Sequence, residues 1–144
     1  DHDLIGLVEP LGFDICSLRH KSEAAEVIEA LHAGGRFRLV HDTFHHRLAG
    51  GGPIFAEHTG IVHISGVVEP EVGIDRMTDD HRVLVTAGDR LGTIAQLAAL
   101  AGLGWDGPVS FEAFAPETHA SANPGADLAA SMDFIRARLR EQAA

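Results

Sequence analysis

Short apolar runs alternate with helix-forming stretches four times along the chain, and this alternation restricts the fold more than any other feature of its 144 residues. Leu4, Ile5, Leu7 and Val8 form the first run, which stops at Glu9-Pro10 because proline cannot donate to a ladder; a buried strand over residues 3–9 is expected. Ser22 and Glu23 then supply a cap and a first-turn acid. Ala24, Val27, Ile28 and Leu31 recur on one helical face before Gly34-Gly35 ends the helix. Phe37, Leu39 and Val40 make a second strand ending at Asp42. A glycine-rich loop over 49–52 and a short helix over 53–58 lead to a third strand of Ile61, Val62 and Ile64. A polar connection over 65–89 follows, longer than an ordinary loop and so a candidate functional cover. Leu91, Ile94, Ala98 and Ala101 line the next helix, closed by Gly102 and Gly104. Val109, Phe111 and Phe114 alternate with Ser110 and Glu112 in a fourth strand, and Asn123-Pro124 opens a last helix with Leu128, Met132, Ile135 and Leu139 on one face. Such repetition predicts an α/β fold of parallel β/α units with right-handed crossovers, in a single domain over residues 1–144.

In parallel sheets a ligand sits beyond the carboxyl ends of the strands, where the loops converge. Four polar residues fall there, one per strand: Glu9, Asp42, His63 and Glu112. Singly, each reads more readily as a solvated loop residue, a helix cap or a core histidine. Together they would concentrate negative charge that a cation neutralises. Three carboxylates and one imidazole suit Mn²⁺ best, with Mg²⁺, Co²⁺ or Zn²⁺ as alternatives. His41 and His45 stand at i and i+4, as in a zinc-protease helix. The catalytic Glu after the first His is Asp42 instead, and the segment is expected to continue a β-run. His45 and His46 are then expected on the loop after Asp42, where one of them can touch a substrate hydroxyl. Arg82, on the long cover, is a natural anchor for a substrate oxygen.

Charge narrows the choice of partner. Eleven Lys and Arg oppose 21 Asp and Glu for a net −10, which disfavours nucleic acid. No apolar run approaches the roughly 20 residues that span a bilayer, so no membrane association is expected. The single cysteine, Cys16, cannot form an internal disulfide, which fits a reducing, cytoplasmic compartment.

The segments Leu7-Val8-Glu9-Pro10, Val40-His41-Asp42-Thr43-Phe44-His45, Val62-His63-Ile64-Ser65, Asp80-His81-Arg82-Val83 and Val109-Ser110-Phe111-Glu112-Ala113-Phe114 occur in this order. They resemble the second half, strands five to eight, of the xylose isomerase-like TIM barrels, most nearly the inosose isomerases and ketose 3-epimerases. The resemblance implies a metal held by Glu9, Asp42, His63 and Glu112, with Glu9 and Glu112 as the acid and base of proton transfer. It implies substrate contacts from His45 and Arg82, and a sugar or inositol-derived substrate isomerised or epimerised through an enediolate. The Pro-Gly-x-Gly turn common after that Arg is here Thr86-Ala87-Gly88-Asp89.

A complete barrel needs roughly 250 residues, so this chain, which begins at Asp1, reads as an internal fragment or processed product. Strands one to four are then expected from another segment, or from a second copy in a homo-oligomer, because open edges and an inward face of Leu7, Leu39 and Val62 would otherwise stay bare. Two other classes share the pattern: endonuclease IV-like metal phosphodiesterases, which need more histidines and a positive surface, and a non-catalytic half-barrel.

Overall fold

The computed structural model describes residues 2–142. Four parallel strands lie side by side in sequence order: β1 (Gly6–Val8), β2 (Phe37–Asp42), β3 (Thr59–Ile64) and β4 (Val109–Phe111). Parallel neighbours cannot be joined by a hairpin, so each connection crosses over and carries helix. These are α1 (Lys21–Ala30), α2 (Thr43–Leu48), α3 (Thr93–Gly102) and, after β4, α4 (Pro116–His119) and α5 (Pro124–Gln142). The expected α/β fold with a parallel sheet is present.

Side chains alternate across the sheet and divide it into two faces. Val8 and Leu39 pack with Ala24, Ala25 and Ile28 of α1, while Val62, Ile64 and Phe111 pack with Leu97 and Leu100 of α3 and Ile135 of α5. The opposite face carries Leu7, Val40, Ile61 and the polar residues at the strand ends. Leu39 and Val62 therefore do not line that face with Leu7 as expected; both are fully covered by the helices, whereas Leu7 is 48% exposed.

The β2–β3 ladder contains a bulge. Leu39 pairs with Thr59 but Val40 pairs with Ile61, which leaves Gly60 as an extra residue and sets Asp42 opposite His63. A Cβ on Gly60 would lie 2.7 Å from Leu7 Cδ2 and 2.9 Å from Arg38 Cβ, so a side chain is excluded there.

Several elements differ in detail from expectation. β1 covers three residues, and Leu4 and Ile5 before it are exposed. His20, not Ser22, is the N-cap of α1, and its side chain caps no N–H. Helical structure in the 53–58 region is a single 3₁₀ turn, Ala56–His58. β4 ends before Phe114, because the Ala115 N–H turns to the Arg82 carbonyl. The buried face of α3 is displaced from expectation, carrying Thr93, Gln96, Leu97 and Leu100 while Ala101 is exposed, and that of α5 is narrower, burying Ser131 and Ile135 while Leu128 and Met132 stay exposed. Asn123 does open α5, its Oδ1 accepting from the Ala126 N–H at 3.3 Å. The 65–89 connection is built rather than loose, with 3₁₀ turns at Ile74–Arg76 and Asp79–His81, a bridge between Gly66 and Val83, and Val67, Met77 and Val85 buried. Among the described residues, no helix is long and apolar enough to cross a membrane.

Candidate metal centre

Glu9 follows β1, Asp42 ends β2, His63 lies in β3 and Glu112 follows β4, on the face turned from the helices. One donor atom from each lies within 4.8 Å of the others, a grouping that could hold a metal ion. His63 Nδ1 is 3.2 Å from Glu9 Oε1 and 3.4 Å from Glu112 Oε1. Asp42 is also the N-cap of α2, its Oδ1 accepting from the His45 N–H at 2.8 Å. The strand therefore ends and the helix begins on one side chain, which fixes that carboxylate's direction.

Arg82 is built into the centre. It lies on the 65–89 connection, as the sequence suggests, and that connection delivers its side chain to the carboxylates. Its side chain is 1% exposed; Nη2 donates to Asp42 Oδ2 and to Glu112 Oε2, the latter at 2.8 Å, and Nη1 donates to Asp79 Oδ1 at 3.1 Å. Nε donates to Ser65 Oγ at 3.1 Å. The guanidinium carbon lies 4.8 Å from the Phe44 ring centroid and 5.0 Å from that of Phe114, so two aromatic faces hold its plane.

These contacts shape the local acidities. Burial pushes the Glu9 carboxyl up, but the His63 hydrogen bond and the His63, His45 and Arg82 charges outweigh it and hold Glu9 below its ordinary value. Burial raises Glu112, helped by a hydrogen bond to Asp42 and by the Glu9 charge, against the pull of Arg82. His63 is raised, first by its hydrogen bond to Glu9 and then by the Glu112, Glu9 and Asp42 charges, against burial. Burial also acts against the Arg82 charge, yet Asp42 and Glu112 raise its pKa.

His45 and His46 stand on α2 and not on a loop, so the segment after Asp42 is not a continued β-run. His45 Nδ1 accepts from the Gly12 N–H at 3.3 Å, which leaves the proton of the neutral ring on Nε2. Burial, then the Arg82 charge, keep His45 below its ordinary pKa. His41 points the other way, among the helices. Its Nδ1 accepts from Lys21 Nζ at 2.6 Å, and its Nε2 donates to Gln96 Oε1 at 2.9 Å. Gln96 Nε2 donates to the carbonyls of Thr43 and Leu91, which fixes the amide's orientation and hence the His41 tautomer. His41 and His45 thus belong to different sites, as a zinc-protease pair would not. The buried Lys21–His41–Gln96 chain has no signature in local spacing.

The chain matches the family described as xylose isomerase-like TIM barrel over residues 1–138. No curated protein matches it significantly. Among solved structures it is similar to a xylose isomerase domain-containing protein from Salmonella typhimurium LT2, with 29% identity and a TM-score of 0.82 over 95% of this chain and 51% of that one. It also resembles the IolI protein, solved with a bound zinc atom, at 22% identity and a TM-score of 0.78 over 96% of this chain and 49% of that one. A third relative in fold is a xylose isomerase domain protein from Alicyclobacillus acidocaldarius, at 20% identity and a TM-score of 0.70, covering 95% and 52%. The chain thus spans about half the length of the structures it matches. On the extent of the family match, it belongs to the xylose isomerase-like TIM barrel family.

Proposed function

We propose that the chain is the strand-five-to-eight half of a divalent-metal-dependent sugar or inosose isomerase or epimerase. Glu9, Asp42, His63 and Glu112 hold the ion in this reading. The observation that carries it is their convergence within 4.8 Å from four separate strands. The donor set fits: three carboxylates outnumber the Arg82 guanidinium by two charges, and a divalent ion beside a neutral His63 makes up that difference. Hard oxygen donors favour Mn²⁺, and the zinc atom of IolI supports Zn²⁺ as the alternative.

When bound, the ion polarises adjacent substrate oxygens and so acidifies the carbon-bound hydrogen between them. The chain's own groups do the rest. Glu9 and Glu112 follow nonadjacent strands, with Oε1 atoms 3.2 and 3.4 Å from His63 Nδ1, and two separate carboxylates suit removal of a proton by one and its return by the other. Among the described residues, Glu9 Oε2 has no hydrogen-bond partner, which leaves one oxygen of that carboxylate for proton transfer. Arg82 orients Asp42 and Glu112, and His45 presents Nε2–H to a substrate hydroxyl. The net charge of −10 supports a small-molecule substrate over nucleic acid, and the lone Cys16 supports a cytoplasmic setting.

Strands one to four come from a separate or preceding segment in this reading. β1 and β4 are edge strands, with Ile5, Phe37 and Val109 exposed along the sheet. A second copy is the less favourable occupant, because it would bring two acidic centres to one rim.

The decisive experiment uses a complete barrel containing this half. Glu112→Gln should abolish turnover while retaining metal, and solvent deuterium should enter substrate in the unmodified enzyme. Full turnover in both Glu9→Gln and Glu112→Gln overturns the mechanism.

A further inference from the structure

Residues 11–18, between β1 and α1, form a loop with little packing of its own. Leu11, Asp14, Ile15 and Ser17 are exposed, Gly12 alone is buried, and Phe13 is turned part-way inward. Two backbone bonds close the loop on itself, from the Leu11 N–H to the Leu18 carbonyl and from the Cys16 N–H to the Phe13 carbonyl. So few buried contacts do not hold a loop in one place. Yet Gly12 is seated on the last turn of α2 so closely that a Cβ would meet the His45 carbonyl, Leu48 Cβ and the Ala49 nitrogen.

Arg19 ties the loop to that turn. Its Nε donates to the Gly12 carbonyl at 3.0 Å and its Nη2 to the Leu48 carbonyl at 3.1 Å, so one edge of the guanidinium spans the loop and the end of α2. Helix ends leave their last carbonyls without partners inside the helix. In α2 the His45, His46 and Arg47 carbonyls accept from the N–H groups of Ala49, Gly51 and Gly50, and the Leu48 carbonyl accepts from Arg19. Nη1 pairs with Asp14, farther out along the loop. Gly12 is thereby held at both ends, its carbonyl by Arg19 and its N–H by His45 Nδ1 at 3.3 Å. Phe13 stands edge-on to the His45 ring with centroids 5.2 Å apart, and Phe44 does the same at 5.3 Å.

We propose that Arg19 is a positioning residue that acts through Gly12 on His45. By fixing the loop against α2 it keeps the Gly12 N–H on Nδ1, and so keeps the His45 proton on Nε2. That this Nε2–H meets a substrate hydroxyl rests on the isomerase reading; that Arg19 fixes the imidazole does not. The geometry calls for arginine, because a planar guanidinium presents two parallel donors to two carbonyls and an ammonium presents a single rotating point. Its partners are Gly12, Leu48 and Asp14, none of them a donor of the metal centre, so the effect of removing it is confined to the imidazole.

The test labels histidine with ¹⁵N in the full-length protein that carries this half, and compares it with Arg19→Lys, which keeps the charge and loses the fork. At pH 8 His45, whose pKa lies below the ordinary 6.5, is neutral. Its two nitrogen resonances should be widely separated in the unmodified protein, with Nε2 protonated, and should draw together in the variant as the second tautomer is populated. Unchanged resonances in a folded variant overturn the proposal. Arg19→Gln, which keeps one donor group, is read in the same way if Arg19→Lys does not fold, and failure of both to fold makes Arg19 a structural residue and overturns the proposal as well. A double-variant cycle then tests the substrate part. In the Mn²⁺-loaded protein, Arg19→Lys should weaken binding of D-fructose or scyllo-inosose at least fivefold in calorimetry, and less than twofold in a His45→Ala background. Equal losses in both backgrounds overturn action through His45. A tautomer change with undiminished affinity, or binding of neither probe by the unmodified protein, overturns the hydroxyl contact of the isomerase reading instead, while the nitrogen resonances still decide the role of Arg19.

Discussion

Asp42 and Arg82 form an ion pair in which both side chains are 1% exposed, and the same guanidinium reaches Glu112 at 2.8 Å. Removing one partner of such a pair leaves the other charge buried without compensation, typically at about 3–5 kcal/mol. Arg82→Met should lower stability in urea denaturation of the metal-free protein by that amount, and Mn²⁺ should restore more stability to the variant than to the parent. A loss below about 1 kcal/mol would show that the acidic cluster does not depend on Arg82.

His63 supplies the only nitrogen of the candidate centre. His63→Ala should weaken Mn²⁺ and Zn²⁺ binding at least tenfold in calorimetry, the zinc more because imidazole suits it better. Unchanged affinity in the double variant His63→Ala with Asp42→Ala would remove the centre from these residues.

The pH dependence follows from the buried bases. His41 is brought to about 3 and His46 to about 4, chiefly by burial, against an ordinary 6.5. The unfolded chain therefore binds protons that the native chain refuses, and stability is lost as pH falls from about 6.5 towards 4, by up to about 1.4 kcal/mol per pH unit for each group. His63, raised by Glu9, works with the opposite sign: its contribution is complete below its unfolded pKa and is lost as pH rises through its native one. Lys21, lowered to about 7 from 10.5, makes stability climb between those values. Denaturant midpoints across pH 4–10 should rise with pH in the metal-free protein. His46→Leu should flatten the acid limb and Lys21→Met the alkaline one; parallel curves for all three would contradict these assignments.

Gly12 approaches α2 closely. A Cβ there would meet the His45 carbonyl oxygen at 2.2 Å and the Ala49 nitrogen at 2.9 Å, and the Gly12 N–H donates to His45 Nδ1. Gly12→Ala should cost about 1–3 kcal/mol by overpacking, read as a lower thermal midpoint. It should also shift the His45 ring resonances, whereas Gly34→Ala, with no neighbour within 4 Å, should leave both unchanged.

Glu9, Asp42, His63 and Glu112 are legible in the sequence because each interrupts or ends an apolar run, and the order of the runs is the order of the strands. Non-local chemistry is not legible in the same way. His41 and Gln96 are 55 residues apart and Arg82 and Asp42 40, so no spacing rule joins them. The face of α3 is obscured because nearly every position in Thr93–Gly102 is small or apolar, and packing against β3 rather than periodicity selects Leu97 and Leu100. Arg82 looks like a surface anchor because its neighbours Asp79, Asp80 and His81 are polar; only the Phe44 and Phe114 rings, brought in from other segments, reveal its buried setting.

The extra residue at Gly60 gives β3 one residue of slack. Thr59 stands opposite Leu39 and His63 opposite Asp42 on the two sides of the bulge, so losing that residue would leave an unbroken alternation with the imidazole still on the side of the carboxylates. A second deletion in the strand would find no slack left, and would turn the imidazole into the helix layer and bring an apolar neighbour round in its place. The bulge is thus a one-residue tolerance in the length of the strand that carries the centre's only nitrogen.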